Sequence, residues 1–225
     1  MKISFSLVLL AGGIGTRMGS PIPKQFLTLQ DKPLALHSLD VFVAMPELDE
    51  IIIVCDPDYR HHFGPYEDRI NLRYALPGKR RQDSVFNGIE LLEGNPLVCI
   101  HDSARPLITE ELVRKTILVA NEHDAAVIGV KAKATIKRCD ADGFVVETPS
   151  RDHLWEVQTP QVVRLQLLKE GFQAASGRTV TDDVSLIELL GKPVKMVEGA
   201  YTNIKVTTAD DLIIAEKYLS CIATS

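Results

Sequence analysis

The chain is poor in aromatic residues, at 6% with a single tryptophan, and contains no apolar run near the roughly 18 residues that cross a bilayer. A membrane-spanning protein is therefore not expected. Its four cysteines, Cys55, Cys99, Cys139 and Cys221, lie far apart, with no Cys-x-x-Cys pair and no histidine at ligand spacing. That pattern argues against a disulfide framework or a zinc site. Charge of either sign is not in large excess: 25 Lys and Arg against 30 Asp and Glu give a net charge of −5, which disfavours a generally basic nucleic-acid binder. Hydrophobic residues at 45% exclude a disordered chain. The opening MKISFSLVLL runs straight into a glycine loop and not into a small-residue cleavage site, so it reads as a buried first strand and the protein as cytoplasmic. At roughly 150 residues per domain, 225 residues make one large domain or two small ones; with no internal repeat or low-complexity tract, residues 1–225 read as one.

Short apolar runs bounded by turn residues recur at Phe5 to Leu10, Ile51 to Cys55, Leu97 to Ile100 and Ala125 to Val130. Each is too short for a helix and suits a strand buried on both faces of a parallel sheet. Helical spacings lie between and after them: Leu34, Val41, Phe42 and Met45; Val85, Ile89 and Leu92; Val113, Ile117 and Ala120 behind Thr109; Leu165, Leu168 and Phe172; and Leu212, Ala215 and Leu219 behind Thr208. Thr109 is followed by Glu110 and Glu111, which suit the positive end of a helix dipole, and Asp211 stands three residues after Thr208 as in a capping box. The fold expected is α/β, a single open, mostly parallel sheet with helices on both faces. One segment breaks the alternation. Thr135 to Lys137 and Phe144 to Thr148 read as two short strands around the Asp-Gly signal of residues 140–143, a protruding hairpin that needs a partner surface. A second copy of the chain is the simplest supplier, and folding back onto its own domain is the alternative.

The stretch LAGGIGTRMGSPIPKQF leaves the first strand at the edge where open α/β sheets bind ligands. Gly12, Gly13 and Gly15 allow close backbone approach and turn N–H groups toward an anion, while Arg17 and Lys24 neutralise phosphate charge. Neither common nucleotide motif fits. Met18 stands where a dinucleotide fingerprint started at Gly13 needs Gly or Ala, and Gly19 is followed by Ser20 and Pro21 where a P-loop needs Lys and Ser or Thr. Asp102, just past a predicted strand, is placed to hold Mg²⁺ beside phosphates, or else to form a turn or pair with Arg105. Arg80 and Arg81 precede a helix in a turn that reads equally well as a solvated basic loop. The stretches from Arg151 to Gln161, Thr181 to Asp183 and Asn203 to Val206 read as lying in or beside loops, and His101 as a packing residue.

Taken in order, LAGGIGTRMGSPIPKQF, GKRRQDSV, HDSARP, TIKR, RDHLWEVQTPQ, TDDVS and NIKVTTADDL resemble the 2-C-methyl-D-erythritol 4-phosphate cytidylyltransferases over nearly the whole chain. The resemblance extends to cytidylyltransferases acting on ribitol 5-phosphate; a non-catalytic nucleotide-binding regulator of the same fold is a further alternative. It implies a Rossmann-like nucleotidyltransferase domain that transfers CMP from CTP to the polyol phosphate, with Mg²⁺ held by Asp102. By the same resemblance, Arg17, Lys24, Arg151 and Lys205 are catalytic. Ala11, Gly12, Gly13, Gly78 and Ser84 bind the nucleotide, and Arg105, Thr135, Arg151, Thr159 and Lys205 grip the acceptor. It also implies that residues 131–153 form a β-arm embracing a second subunit, which contributes Arg105 and Thr135 across the interface. Two positions depart from the family pattern: Ala134 replaces an acidic residue before Thr135, and Lys79 follows Gly78 where relatives often carry Asp or Gly. A backbone contact from Gly78 is unaffected by the second.

Overall fold

The structure, a computed structural model, describes residues 3–13, 22–94 and 96–223. In chain order its elements begin β1 (Phe5–Leu10), β2 (Thr28–Leu29), β3 (Lys32–Pro33), α1 (Leu34–Val43), β4 (Leu48–Val54), α2 (Gly64–Glu67), β5 (Asn71–Ala75) and α3 (Arg81–Ile89). They continue with β6 (Leu97–Asp102), α4 (Glu110–His123), β7 (Ala125–Lys131), β8 (Arg138–Cys139), β9 (Val145–Glu147) and β10 (Trp155–Arg164). The chain closes with α5 (Leu165–Ala175), α6 (Ser185–Leu189), β11 (Lys195–Glu198) and α7 (Ala209–Ala223). Seven strands form one sheet in the order β11-β7-β10-β6-β1-β4-β5. β10 runs antiparallel to both neighbours, and the remaining pairings are parallel. This is the α/β architecture the apolar runs predict, and none of the described helices is long and apolar enough to cross a membrane.

Period-two alternation along β1 divides the core between the two faces of the sheet. Phe5, Leu7 and Leu9 pack with Leu39 and Phe42 of α1 and Val113 and Ile117 of α4. Val8 points the other way, among Val85 and Ile89 of α3, Leu168 of α5 and Leu186 of α6. Both layers are dry, and a buried leucine or isoleucine contributes about 1.5–3 kcal/mol over leaving it in water. A third cluster joins Leu29, Leu34, Ala104, Leu107, Val206 and Ala215, so α7 seats the segment that carries Lys205. The start of α7 is the capping box its sequence suggests: the Asp211 carboxylate accepts the N–H groups of Thr207 at 2.8 Å and Thr208 at 2.9 Å, and the Thr208 hydroxyl accepts the Asp211 N–H at 3.3 Å. Although partial burial opposes it, these bonds pull the Asp211 carboxyl down to about 2.

Three strands of the main sheet were not anticipated, nor was the small pair β2 and β3. The stretch from Trp155 to Gln161, expected in or beside a loop, is the first part of the ten-residue β10. Its pairing with β7 shifts register between Val157 and Gln161, which leaves polar Gln158 and Thr159 at the active edge and breaks the apolar signal. β5 and β11 are the sheet's outer strands and carry mixed polarity, as half-covered edges do. The hairpin exists, but its first strand is Arg138–Cys139 and not Thr135 to Lys137, and its second is the shorter Val145–Glu147: Arg138 pairs with Glu147 and Cys139 with Val145, leaving Thr135 outside the ladder. Gly143 takes a φ of +87° at its turn, which is why Asp-Gly is favoured there.

Helix α3 lies closest to the sheet at Gly88, where a Cβ would fall 2.7 Å from Cγ1 of Val8. Valine side chains are stiff about χ1, so the contact cannot be relieved by a rotamer change. Gly88→Val is expected to destabilise the fold by about 1–3 kcal/mol through overpacking, read as a lower urea midpoint at an unchanged m-value.

Candidate active site

Because β1, β4 and β6 are parallel, their C-terminal ends at Leu10, Val54 and Asp102 share one edge, and the antiparallel β10 starts from that edge. A cleft of about 420 Å³ opens there, lined by Gly12, Gly13, Lys24, Gly78, Arg81, Ser84, Asp102 and Lys205 among others. Gly12 and Gly78 need to be glycine on steric grounds. A Cβ on Gly12 would lie 2.5 Å from Cγ of Pro77, and one on Gly78 would strike Asp83, 2.7 Å from its carbonyl carbon. The Gly78 N–H donates to the Ser84 hydroxyl at 2.9 Å, which ties the turn before α3 to its first residues. Ala11, expected to offer backbone groups, has them committed: its N–H donates to the Val54 carbonyl, and its carbonyl accepts from the Gln25 amide.

A row of alternating charge forms the floor. Asp183 receives two parallel hydrogen bonds from Arg81, at 2.8 and 2.9 Å. The Nε–H of Arg81 donates to Asp102 at 3.0 Å, and Lys205 Nζ donates to the other Asp102 oxygen at 2.5 Å. Burial alone would raise the Asp102 carboxyl, but Arg81, Lys205 and Arg105 outweigh it and hold the group well below the usual carboxylate range. Lys24 donates to the Val206 carbonyl at 2.7 Å, so its ammonium stands beside the Lys205 segment. Two cations therefore meet the glycine-lined wall across one anionic residue.

Behind the floor the acceptor-side candidates are woven together. The Thr159 hydroxyl is buried, accepts the Asp102 N–H at 3.1 Å, and lies 3.2 Å from Nδ1 of His101. His101 is fully buried and meets Phe42 edge-on; burial pushes its imidazole down to about 4, and it packs as expected. Arg105 donates to the Asn203 carbonyl at 2.7 Å. The Asn203 amide donates to the Thr159 carbonyl at 3.0 Å and to Gln158 at 3.2 Å. Arg151 sits in a short 3₁₀ turn, donating to the Lys133 carbonyl, and with Thr135 belongs to the exposed arm and not to the cleft lining. Arg17 and Gly15 lie outside the described residues.

Sequence reasoning left Arg81 undecided as a solvated turn and made nothing of Asp183. Arg80 is the exposed member, paired with Asp83 of the same turn, while Arg81 points inward. Asp183 reaches it because the side-chain Oε1 of buried Gln161 accepts the N–H groups of Asp183 and Val184 and folds that turn toward the cleft. The one local signal was a pair of adjacent carboxylates, Asp182 and Asp183, directly before the apolar run of Val184, Leu186 and Ile187.

A mostly parallel sheet with a glycine-walled cleft at its C-terminal edge, lined by two lysines, has the geometry of a nucleotidyltransferase. The family model for 2-C-methyl-D-erythritol 4-phosphate cytidylyltransferase matches residues 5–221. The chain is 53% identical to the chloroplastic enzyme of that name from Oryza sativa subsp. japonica, covering 96% of this chain and 75% of that protein. It is 39% identical to the one from Chlamydia pneumoniae, covering 96% and 100%. The structure of 4-diphosphocytidyl-2C-methyl-D-erythritol synthase from Anaerococcus prevotii superposes with a TM-score of 0.86 at 32% identity, over 98% of this chain and 100% of that one. The chain belongs to the 2-C-methyl-D-erythritol 4-phosphate cytidylyltransferase family.

Replacing Asp102 by Asn would leave Arg81 and Lys205 without their shared anion. A loss of about 3 kcal/mol at pH 7 is expected, low in the range for broken buried pairs because Lys205 remains partly in water. Since the folded carboxyl is depressed, its contribution is full above the unfolded value near pH 3.9 and fades as pH falls below it. Urea titrations of both proteins should therefore converge in acid; a gap unchanged down to pH 2 would show that the carboxylate's charge is not what stabilises.

Proposed function

We propose that this protein transfers CMP from CTP to 2-C-methyl-D-erythritol 4-phosphate, releasing pyrophosphate and giving 4-diphosphocytidyl-2-C-methyl-D-erythritol. Family membership supports the substrates, and the observation that carries the chemistry is the cleft in which Lys24 and Lys205 face the glycine wall of Gly12 and Gly78. The acceptor is a phosphate monoester with a second pKa of about 6, largely a dianion at pH 7, so no general base is required. The work left to the protein is to align two mutually repelling anions and to place positive charge where it builds up on the α-phosphorus and the departing pyrophosphate. Lys24, with Arg17 from the same loop, serves the triphosphate. Lys205, Arg151, Arg105, Thr135 and Thr159 serve the acceptor. Arg81, locked by Asp183, fixes the orientation of Asp102. The nucleotide's base is read from the Gly78 and Ser84 turn, whose backbone allows close approach.

Among the described residues no three carboxylate, histidine or cysteine side chains form a metal cage. The donor set fits Mg²⁺ all the same, because that ion commonly takes one or two carboxylates and completes its shell with phosphate and water. Asp102 is the residue that would hold it, and the ion would neutralise triphosphate charge during transfer. A cytoplasmic setting is supported by four cysteines that are all free, as a reducing compartment keeps them.

We also read the arm as a homodimer contact. Residues 133–148 are all exposed, and Phe144, Val145 and Val146 keep 72%, 59% and 53% of their surface. Two strands alone are marginal in water, and this apolar run suits a partner's surface. Phe144→Asp is expected to shift a dimer to monomer in sedimentation velocity without lowering the melting temperature of the domain. A wild-type chain sedimenting as a monomer at micromolar concentration rejects the reading.

Pyrophosphate release should require Mg²⁺, CTP and 2-C-methyl-D-erythritol 4-phosphate together. Ribitol 5-phosphate in its place, or no acceptor, should give background only. Lys24→Ala should keep the fold and lower kcat by about 100-fold or more, as loss of a charge aimed at the transition state does. A folded variant turning over at the wild-type rate removes Lys24 from the chemistry.

A further inference from the structure

Gln25 follows Lys24 in the short 3₁₀ helix Lys24–Phe26 and is 3% exposed, yet it still lines the cleft. Its Nε2 amide donates to the Ala11 carbonyl at 2.6 Å and to the Gly13 carbonyl at 2.9 Å. Two carbonyl oxygens converging on one point repel unless a donor sits between them, and a primary amide is the neutral side chain that offers two N–H groups from a single nitrogen. Gln25 thus joins two pieces of chain more than ten residues apart, the end of the strand that opens the glycine loop and the turn that carries Lys24.

The orientation has a further consequence. In a trans peptide the N–H points opposite to the carbonyl of the same unit, so turning the Ala11 carbonyl onto Gln25 turns the Gly12 N–H away from it. Gly12 is a cleft-lining residue, so Gln25 fixes the orientation of a peptide unit in the cleft wall before any anion arrives. The opposite side of the turn is also clamped. Phe26 stacks on Tyr59 with ring centroids 4.5 Å apart and on His62 at 5.0 Å, so the segment cannot rotate to follow a displaced Gln25.

We infer that Gln25 is a positioning residue that ties the backbone of residues 11–13 to the Lys24 turn, setting those peptide units and the lysine ammonium at a fixed separation around the triphosphate. This rests on the nucleotidyltransferase reading of the cleft. Gln25 makes its contribution through the groups it holds, so its loss is felt in nucleotide use and turnover and not in acceptor affinity.

The test compares wild type, Gln25→Met and Gln25→Glu by pyrophosphate release, with melting temperatures measured alongside. Methionine keeps the length and apolar bulk but donates nothing. It should lower kcat by about 100-fold, the scale of a sub-ångström to ångström misplacement, and raise the KM for CTP. The KM for the acceptor should stay within about twofold, since binding of that substrate does not pass through the loop. Glutamate presents two acceptors to two carbonyls when ionised and regains one donor when protonated. Its carboxyl, raised by burial and by the facing oxygens, should make the ratio of variant to wild-type activity climb about fivefold or more from pH 8 to pH 6. Taking the ratio cancels the titration of the acceptor phosphate, which both proteins share. Gln25→Met with wild-type kcat overturns the inference. So does a ratio for Gln25→Glu that is flat with pH, or a loss in which both KM values rise as the melting temperature drops. If Gln25→Met does not fold, the pH ratio of Gln25→Glu decides alone; if neither folds, the residue is structural and the inference fails. Wild-type protein that releases no pyrophosphate rejects the functional reading itself, which separates the two failures.

Discussion

Asp102 is the residue on which the active edge depends. A carboxylate at the end of a central strand, 6% exposed and fully ionised, is tolerable only if its charge is matched inside the protein. The match comes from Arg81 at the start of α3 and Lys205 in the loop before α7, parts of the chain with no other reason to meet. Satisfying this one anion draws the turn before α3, the loop after β11 and the Asp183 turn to a single point. The cleft between them is the space those three segments leave. A hydrophobic residue of similar size would relieve the desolvation, but it would remove the constraint that orients the two cations.

The same interaction explains which parts of the molecule were legible in the sequence. β1, β4, β6 and β7 announce themselves because both faces of each are covered and their residues are continuously apolar. β10 occupies an equally central place and was hidden, since Gln158, Thr159 and Gln161 interrupt it. Those residues are polar because they serve the edge: Thr159 meets Asp102, Gln158 meets Asn203, and Gln161 folds the Asp183 turn. The local rule for strands fails where the strand does more than pack. Arg81 and Asp183 were obscured for a different reason. A basic turn and an acidic turn far apart in sequence each resemble solvent-exposed loops, and only the tertiary fold turns them into a buried pair with bidentate geometry.

The candidate nucleotide wall was readable from glycine alone, because glycine marks places where a backbone must come close to something. At Gly12 and Gly78 that something is first the protein itself, Pro77 in one case and Asp83 in the other. Close internal packing and close approach to a ligand make the same demand on a residue, and at Gly12 and Gly78 the packing alone already requires glycine while both line the cleft. A side chain added at either position would push the wall into the cleft as well as strain the turn behind it. Rigidity of the wall therefore comes from packing on its far side, which needs no ligand to be present.

The chain divides its polar investment accordingly. Around Asp102 the charged side chains are crossed by Arg81, Asp183 and Lys205, an arrangement set before any substrate arrives and of the kind that suits electrostatic catalysis, where no reorganisation is required at the moment of transfer. The arm is the reverse: residues 133–148 are exposed, the two strands are short, and Phe144, Val145 and Val146 keep more than half of their surface in solvent. Arg151 bridges the two regimes, anchored at the base of the arm by its bond to the Lys133 carbonyl. The turn itself is tied to the end of β7, since the Leu154 N–H donates to the Arg151 carbonyl and the Ala132 N–H to the Leu154 carbonyl. An acceptor half-site built on Arg151 and Thr135, as proposed, would thus have one residue fixed to the sheet and the other on the exposed arm, whereas the glycine wall is packed from behind at both Gly12 and Gly78.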